Sequence, residues 1–343
     1  MHKEKLTRLT RSILSQPTAP FHEEFVKAEI KLQLEKLPHV TMLEDQFGNL
    51  IARYSRGHIR PRYAFSVHMD HPGWVQKPGA AAGEMTFLGG VKKEYLDRGT
   101  VQSFGKFGMW NLPAFDVKDD KIYGRACDDL IGCAAMIAML ADLGEANVQT
   151  SVVVFFTRAE EVGFLGAIHL AKSRHIPKNI TLISVETSAE KPPARMGDGP
   201  IIRVGDRSSV FDPEVTLQLT QIARKFKIPH QRCLMSGGTC EATAYQNFGV
   251  RTGALCIALA NYHNCAQSIQ IVREFVSYSD LVNLIALCVA IVSEPPAPFT
   301  YHKDLRRDLE QIVRNYADYN PVDPPATKKK TAKKPSRVKA KSA

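Results

Sequence analysis

Five short stretches of the chain carry residues that could do chemistry. "SVHMD" ends in His68 and Asp70, "GRACDD" holds Asp128 and Asp129, and "FFTRAEE" closes on the adjacent acids Glu160 and Glu161. "LISVE" ends in Glu186, and "ALANYHN" contains His263. Two neighbouring carboxylates at the end of an apolar run repel each other and are costly to desolvate. A cation makes such a pair tolerable when one acid serves as a ligand and the other is left for proton work. Taken together, the His, Asp and Glu groups form the donor set of a zinc site. Each has an ordinary reading by itself: a hydrogen-bonded histidine for His68 or His263, a helix N-cap for Asp128, a loop acid for Glu186, a helix start for Glu160–Glu161. Five such groups at successive strand ends in one chain are poorly explained by chance.

The elements that must position them alternate. Residues 3–16 and 22–37 read as amphipathic helices, and "VTMLED" and "GNLIARY" as paired strands about a turn at Gly48–Asn49. "RYAFSVHMD" is a strand, and "DDLIGCAAMIAMLADLG" is a helix rich in small and apolar residues. Strand 150–157, helix 163–172, strand 180–186, strand 201–204 and helix 212–227 follow, then strand 231–235, helix 240–248, strand 251–259 and helices 275–293 and 302–317. Strands alternating with helices imply right-handed βαβ units. The fold class is therefore α/β, with a mainly parallel central sheet flanked by helices. Ligands bind such sheets beyond the carboxyl ends of the strands, which is where the five stretches fall. Between residues 74 and 122 the texture turns Gly-rich and aromatic without helical periodicity, the mark of a small inserted β domain. The expected division is 1–73 with 123–320 for the main domain, 74–122 for the insert and 321–343 for a disordered basic tail.

Composition narrows the class. The chain has 343 residues with 44% hydrophobic content, enough for a real core. No run reaches the roughly 18 uncharged apolar residues of a membrane span. "MHKEKLTRLTRSILSQ" lacks the apolar centre of a signal peptide, and seven scattered cysteines read as reduced thiols, so a cytoplasmic location is expected. The net charge of +10 is concentrated at one end: residues 327–343 hold eight Lys or Arg and no acid, leaving +2 for residues 1–326. The tail is expected to act as a solubilising extension, with weak contact to a polyanion as its sharper reading.

The same residues resemble the cocatalytic dinuclear metallo-aminopeptidases, most closely the glutamyl-aminopeptidase family that includes the tetrahedral TET peptidases. The resemblance runs from His68 to about His263. It rests on "HMDHPGW", "GRACDDLIGC", "EEVGFLGA", "GDGPIIRVGDRSSV" and "SGGT". It implies a zinc-exopeptidase-like fold and two divalent metal ions per chain, zinc or alternatively cobalt or manganese. It implies that His68 serves one ion and His263 the other, that Asp128 bridges them, and that Glu161 completes one site and Glu186 the other. Glu160 would be the general base, and Asp70 would orient the His68 imidazole. Short peptides are the implied substrates, and a homo-oligomer the implied assembly.

The chain departs from the family pattern at His71, where Glu is usual, at Glu186, where aminopeptidases usually carry Asp, and in "GGTCEA" for Gly-Gly-Thr-Asp-Ala. Its insert is also shorter than the family's β-barrel domain. In related zinc exopeptidases, Glu at the Glu186 place often accompanies carboxypeptidase or deacylase activity, which is the alternative reading. A silent polyanion-binding scaffold is the third, opposed by the retained ligands and Glu160. No pair of carboxylates is set for glycoside hydrolysis.

Overall fold

Ser151–Thr157, sequence SVVVFFT, is buried along its whole length. Such a run has no polar face to turn to water, so it must lie inside a sheet covered on both sides. In the computed structural model, which describes residues 1–57, 59–81, 83–295 and 300–316, this strand lies within a sheet of eleven strands. Strands Ser151–Thr157, Tyr63–His68, Thr181–Ala189 and Arg251–Ala260 are adjacent and parallel. Antiparallel strands extend both flanks: Leu50–Ser55 and Val40–Glu44 on one side, Glu274–Ser277, Lys121–Gly124 and Phe115–Lys118 on the other. Ile201–Asp206 and Gln231–Met235 branch from Arg251–Ala260. The sheet is thus parallel at its centre and antiparallel on both flanks, while Gln231–Met235 pairs parallel with Ile201–Asp206 on the branch.

The helix Cys127–Glu145 is buried almost throughout. Its Ala, Gly and Cys residues let it approach the sheet closely, between Lys3–Leu14 on one side and Tyr278–Ser293 on the other. Gly132 is needed there, because a Cβ would meet the Asp129 carboxylate at 2.3 Å. Helix Pro213–Lys225 starts on Asp212, whose side chain accepts from the amides of Glu214 and Val215, with Pro213 in the first turn.

Three expected boundaries move. A second sheet of four strands spans Gly73–Trp110, so the separate β layer is narrower than residues 74–122, and Phe115–Gly124 pairs onto the edge of the large sheet instead. The predicted helix 275–293 begins at Tyr278; Glu274–Ser277 is a strand, with Ser277 capping the helix through the Asp280 amide. Contacts divide the chain into Met1–Phe299 and a second unit from Thr300, whose described part is the helix Tyr301–Asn315. The main domain expected to reach residue 320 therefore loses this helix. The expected tail, 321–343, lies outside the described residues.

Candidate active site

The sheet brings four of the five stretches to one edge. His68 is the last residue of its strand and pairs in register with Thr157, so the turn carrying Glu160 and Glu161 leaves the sheet beside it. Strand Thr181–Ala189 runs parallel to the His68 strand until Ser184↔Ser66, and Glu186 lies two residues further on. His263 follows the end of Arg251–Ala260. The fifth stretch enters from a flank, where Asp128 opens the buried helix after strand Lys121–Gly124.

Asp128 stands between the two histidines. Its Oδ1 is 3.4 Å from His68 Nε2 and its Oδ2 is 3.6 Å from His263 Nε2. His68 Nε2 also lies 3.6 Å from Glu186 Oε2, and His263 Nε2 lies 3.1 Å from Glu161 Oε1. Ligand atoms of His68, Glu160 and Glu186 fall within 4.8 Å of one another, as do those of Asp128, Glu161 and His263. Backbone carbonyls fix both rings. His68 Nδ1 is 3.1 Å from Asp70 O and His263 Nδ1 is 3.3 Å from Gly90 O, which turns each Nε2 toward the carboxylates.

The donor set fits a pair of divalent ions. Asp128 Oδ1, Glu161 Oε1 and His263 Nε2 are buried with no hydrogen-bond partner, a costly state for polar atoms that a metal would relieve. Imidazole and carboxylate donors suit zinc and its neighbours. Burial opposes charge on His68, but Glu160, Asp128, Asp70 and Glu186 outweigh it and raise its pKa well above the usual value. His263 is raised in the same way by Glu161 and Asp128. Burial alone would lift Asp128, yet the two histidines hold it below the normal carboxylate range. Glu160 is pushed well up by burial, and Glu186 to about 7, also chiefly by burial. A cavity of about 180 Å³ is lined by His68, Asp128, Glu160 and Glu186 together with Arg203 and the loop Ser236–Thr239.

The turn that carries the two acids is gripped amide by amide. The N–H groups of Arg158, Ala159, Glu160 and Glu161 donate to Asn49 Oδ1, Glu23 Oε1, Asp70 Oδ1 and Asp70 Oδ2 at 3.0–3.1 Å. Asp70 therefore does more than sequence suggested. Its backbone carbonyl is the atom nearest the His68 Nδ1, its carboxylate oxygen being 3.6 Å away, and that carboxylate holds the Glu160–Glu161 turn. Glu23 also takes the Arg158 guanidinium at 2.6 Å. His71 Nδ1 reaches the Asp128 carbonyl at 2.7 Å, and its Nε2 meets Asn264 Oδ1 at 3.1 Å. Sequence reasoning missed Glu23 and also Glu274, which accepts from the amides of Cys127, Asp128 and His263; their partners lie far away in the chain.

A family model for M42 glutamyl aminopeptidases matches residues 100–281. Among curated relatives, a protein of Acetivibrio thermocellus provisionally named an aminopeptidase is 28% identical over 182 residues, covering 51% of this chain and 52% of the relative. The chain thus spans about half the length of the curated relatives it matches. Among solved structures, the TET1 peptidase of Pyrococcus horikoshii, which can assemble into a tetrahedron or a large octahedral shell, has a TM-score of 0.70 at 22% identity; 84% of this chain and 100% of that one are covered. A TET aminopeptidase from a marine-sediment Thaumarchaeota archaeon has a TM-score of 0.74 at 19% identity, with 87% and 99% covered. These likenesses establish a shared fold.

Proposed function

The chain belongs to the M42 glutamyl aminopeptidase family, and from that we propose that it is a dinuclear metallo-aminopeptidase trimming N-terminal residues from short peptides. The observation that carries the reading is Asp128, which offers a separate oxygen to each of two histidines. His68 and Glu186 would hold one ion, His263 and Glu161 the other, and Asp128 would be shared. Bound divalent ions, zinc first and cobalt or manganese as alternatives, supply Lewis acidity that activates water and polarises a carbonyl.

The chain's own residues do the rest. Glu160 accepts the proton of the attacking water on its carboxylate and returns it to the leaving amine. Asp70 and Glu23 keep the Glu160 backbone fixed while this happens, because three of the turn's amides are tied to their carboxylates. The substrate lies in the cavity beside Arg203 and Ser236–Thr239.

Glu186 favours one competing reading, in which the same site cleaves from the carboxyl end or removes an acyl group. A peptide-library digest by the metal-loaded protein, read by mass spectrometry, tests the choice. Loss of N-terminal residues from free but not N-acetylated peptides is expected. Trimming from the other end, blocked by C-amidation, would replace the aminopeptidase reading. We further place the protein in the cytoplasm as a homo-oligomer. All seven cysteines lack a disulfide partner, and among the described residues no helix is long and apolar enough to cross a membrane.

A further inference from the structure

We propose that Glu274 is a positioning residue for both metal sites, acting through the shared Asp128 and most strongly on the ion served by His263, an inference that rests on the two-ion reading above. Glu274 is fully buried, and both its oxygens accept from backbone amides. Oε2 takes the amides of Cys127 at 2.7 Å and Asp128 at 3.2 Å, and Oε1 takes that of His263 at 2.8 Å. One carboxylate therefore joins the loop that carries the shared aspartate to the loop that carries a histidine of the Asp128–Glu161–His263 cluster.

The topology explains why this residue can do so. Its strand, Glu274–Ser277, lies between Lys121–Gly124, which leads into Asp128, and Arg251–Ala260, which leads into His263. Glu274 itself is in register with Gly124. His263 needs the restraint. Its φ is 55°, and those of Asn261 and Asn264 are 55° and 63°, left-handed conformations that cost free energy at non-glycine residues. The hydrogen bond from the His263 amide to Glu274 holds this segment. Among the described residues no hydrogen bond joins Glu274 to His68 or Glu186, whose positions follow from the neighbouring parallel strands, so its reach to that side passes through Asp128.

Groups that orient metal ligands typically change affinity by about 10–100-fold when altered. Glu274→Gln keeps the size but leaves one acceptor oxygen facing three donors, so one of the two loops is released. Glu274→Asp keeps both oxygens but shortens the reach. The full-length protein, stripped of metal, is titrated with Co²⁺ and followed by calorimetry and visible absorption. Wild type should take two ions. In each variant both ions should bind more weakly, the one served by His263 by about 10–100-fold and the other by less. The more weakened step should be the one that His263→Ala mainly weakens, and adding Glu274→Gln to His263→Ala should still weaken the other ion through Asp128. Unchanged binding of either ion in a folded variant overturns the proposal, as does equal weakening of both; if Glu274→Gln does not fold, Glu274→Asp decides. A wild type that never binds more than one Co²⁺ overturns the two-ion reading itself, and the proposal with it.

Discussion

Glu160 and Glu161 are neighbours in sequence with different surroundings, so replacing each by Gln separates base from ligand. Glu160→Gln keeps the size and one acceptor oxygen. The backbone should not move, because the Glu160 amide is held by Asp70 at 3.0 Å and the flanking amides by Glu23 and Asp70. What is lost is the ability to take a proton. General-base catalysis is typically worth about 10²–10⁴-fold, which at about 1.36 kcal/mol per factor of ten corresponds to about 2.7–5.4 kcal/mol of transition-state stabilisation. The turnover number should fall by that factor while KM, metal content and melting temperature stay near wild type. Glu161→Gln should instead lose metal, since its Oε1 faces His263 Nε2 at 3.1 Å and a neutral amide is a poor ligand. Excess metal should restore part of its rate. The assay is turnover on an unblocked peptide, with metal content by elemental analysis and melting measured on the same samples. Near-normal turnover in metal-replete Glu160→Gln would refute the base assignment. Loss of metal in that variant would make Glu160 a ligand beside His68 and Glu186, with which it shares a cluster. Similar, modest losses of stability in both variants, with activity kept, would reduce the acids to structural groups.

Asp128→Asn should lower the affinity for both ions, whereas His263→Ala should mainly weaken one; full occupancy and hydrolysis in Asp128→Asn would end the bridging assignment. Metal affinity at the His68 side should climb as pH rises through about 7 and beyond, because burial keeps Glu186 protonated below that value, neighbouring carboxylates hold a proton on His68 above its usual range, and neither protonated group can ligate. Calorimetry in buffers of different ionisation enthalpy should show the matching proton release, and a pH-independent affinity would contradict it. Truncation after Asp323 should leave peptide turnover unchanged and reduce salt-sensitive retention on heparin; a large fall in turnover would show that the basic tail serves the site.

Much of the architecture was readable because it is written locally. The apolar run SVVVFFT could only be an interior strand, and the small-residue helix after Asp128 could only be one that packs closely. Polar residues that close or follow such runs lie at the carboxyl ends of the strands, which is why His68, Glu160, Glu161 and His263 could be named together from sequence; Glu186 joins them although its strand runs on to Ala189. The parts that were not readable depend on partners distant in the chain. Residues 275–277 have helix-like apolar spacing, but pairing with residues 121–123 and 259–260 makes them a strand. The hairpin Phe115–Gly124 resembles the preceding β layer in composition, yet the open edge beside Glu274–Ser277 recruits it into the large sheet. Glu274 lies 146 positions from Asp128, and Glu23 lies 136 from Ala159. A carboxylate whose task is to accept remote backbone amides has no local pattern, since any acid of the right length would serve at the right place. The sequence by itself determined which groups could bind metal and move a proton; only the tertiary structure decided which carboxylates hold those groups still, because that depends on strands brought together across the sheet.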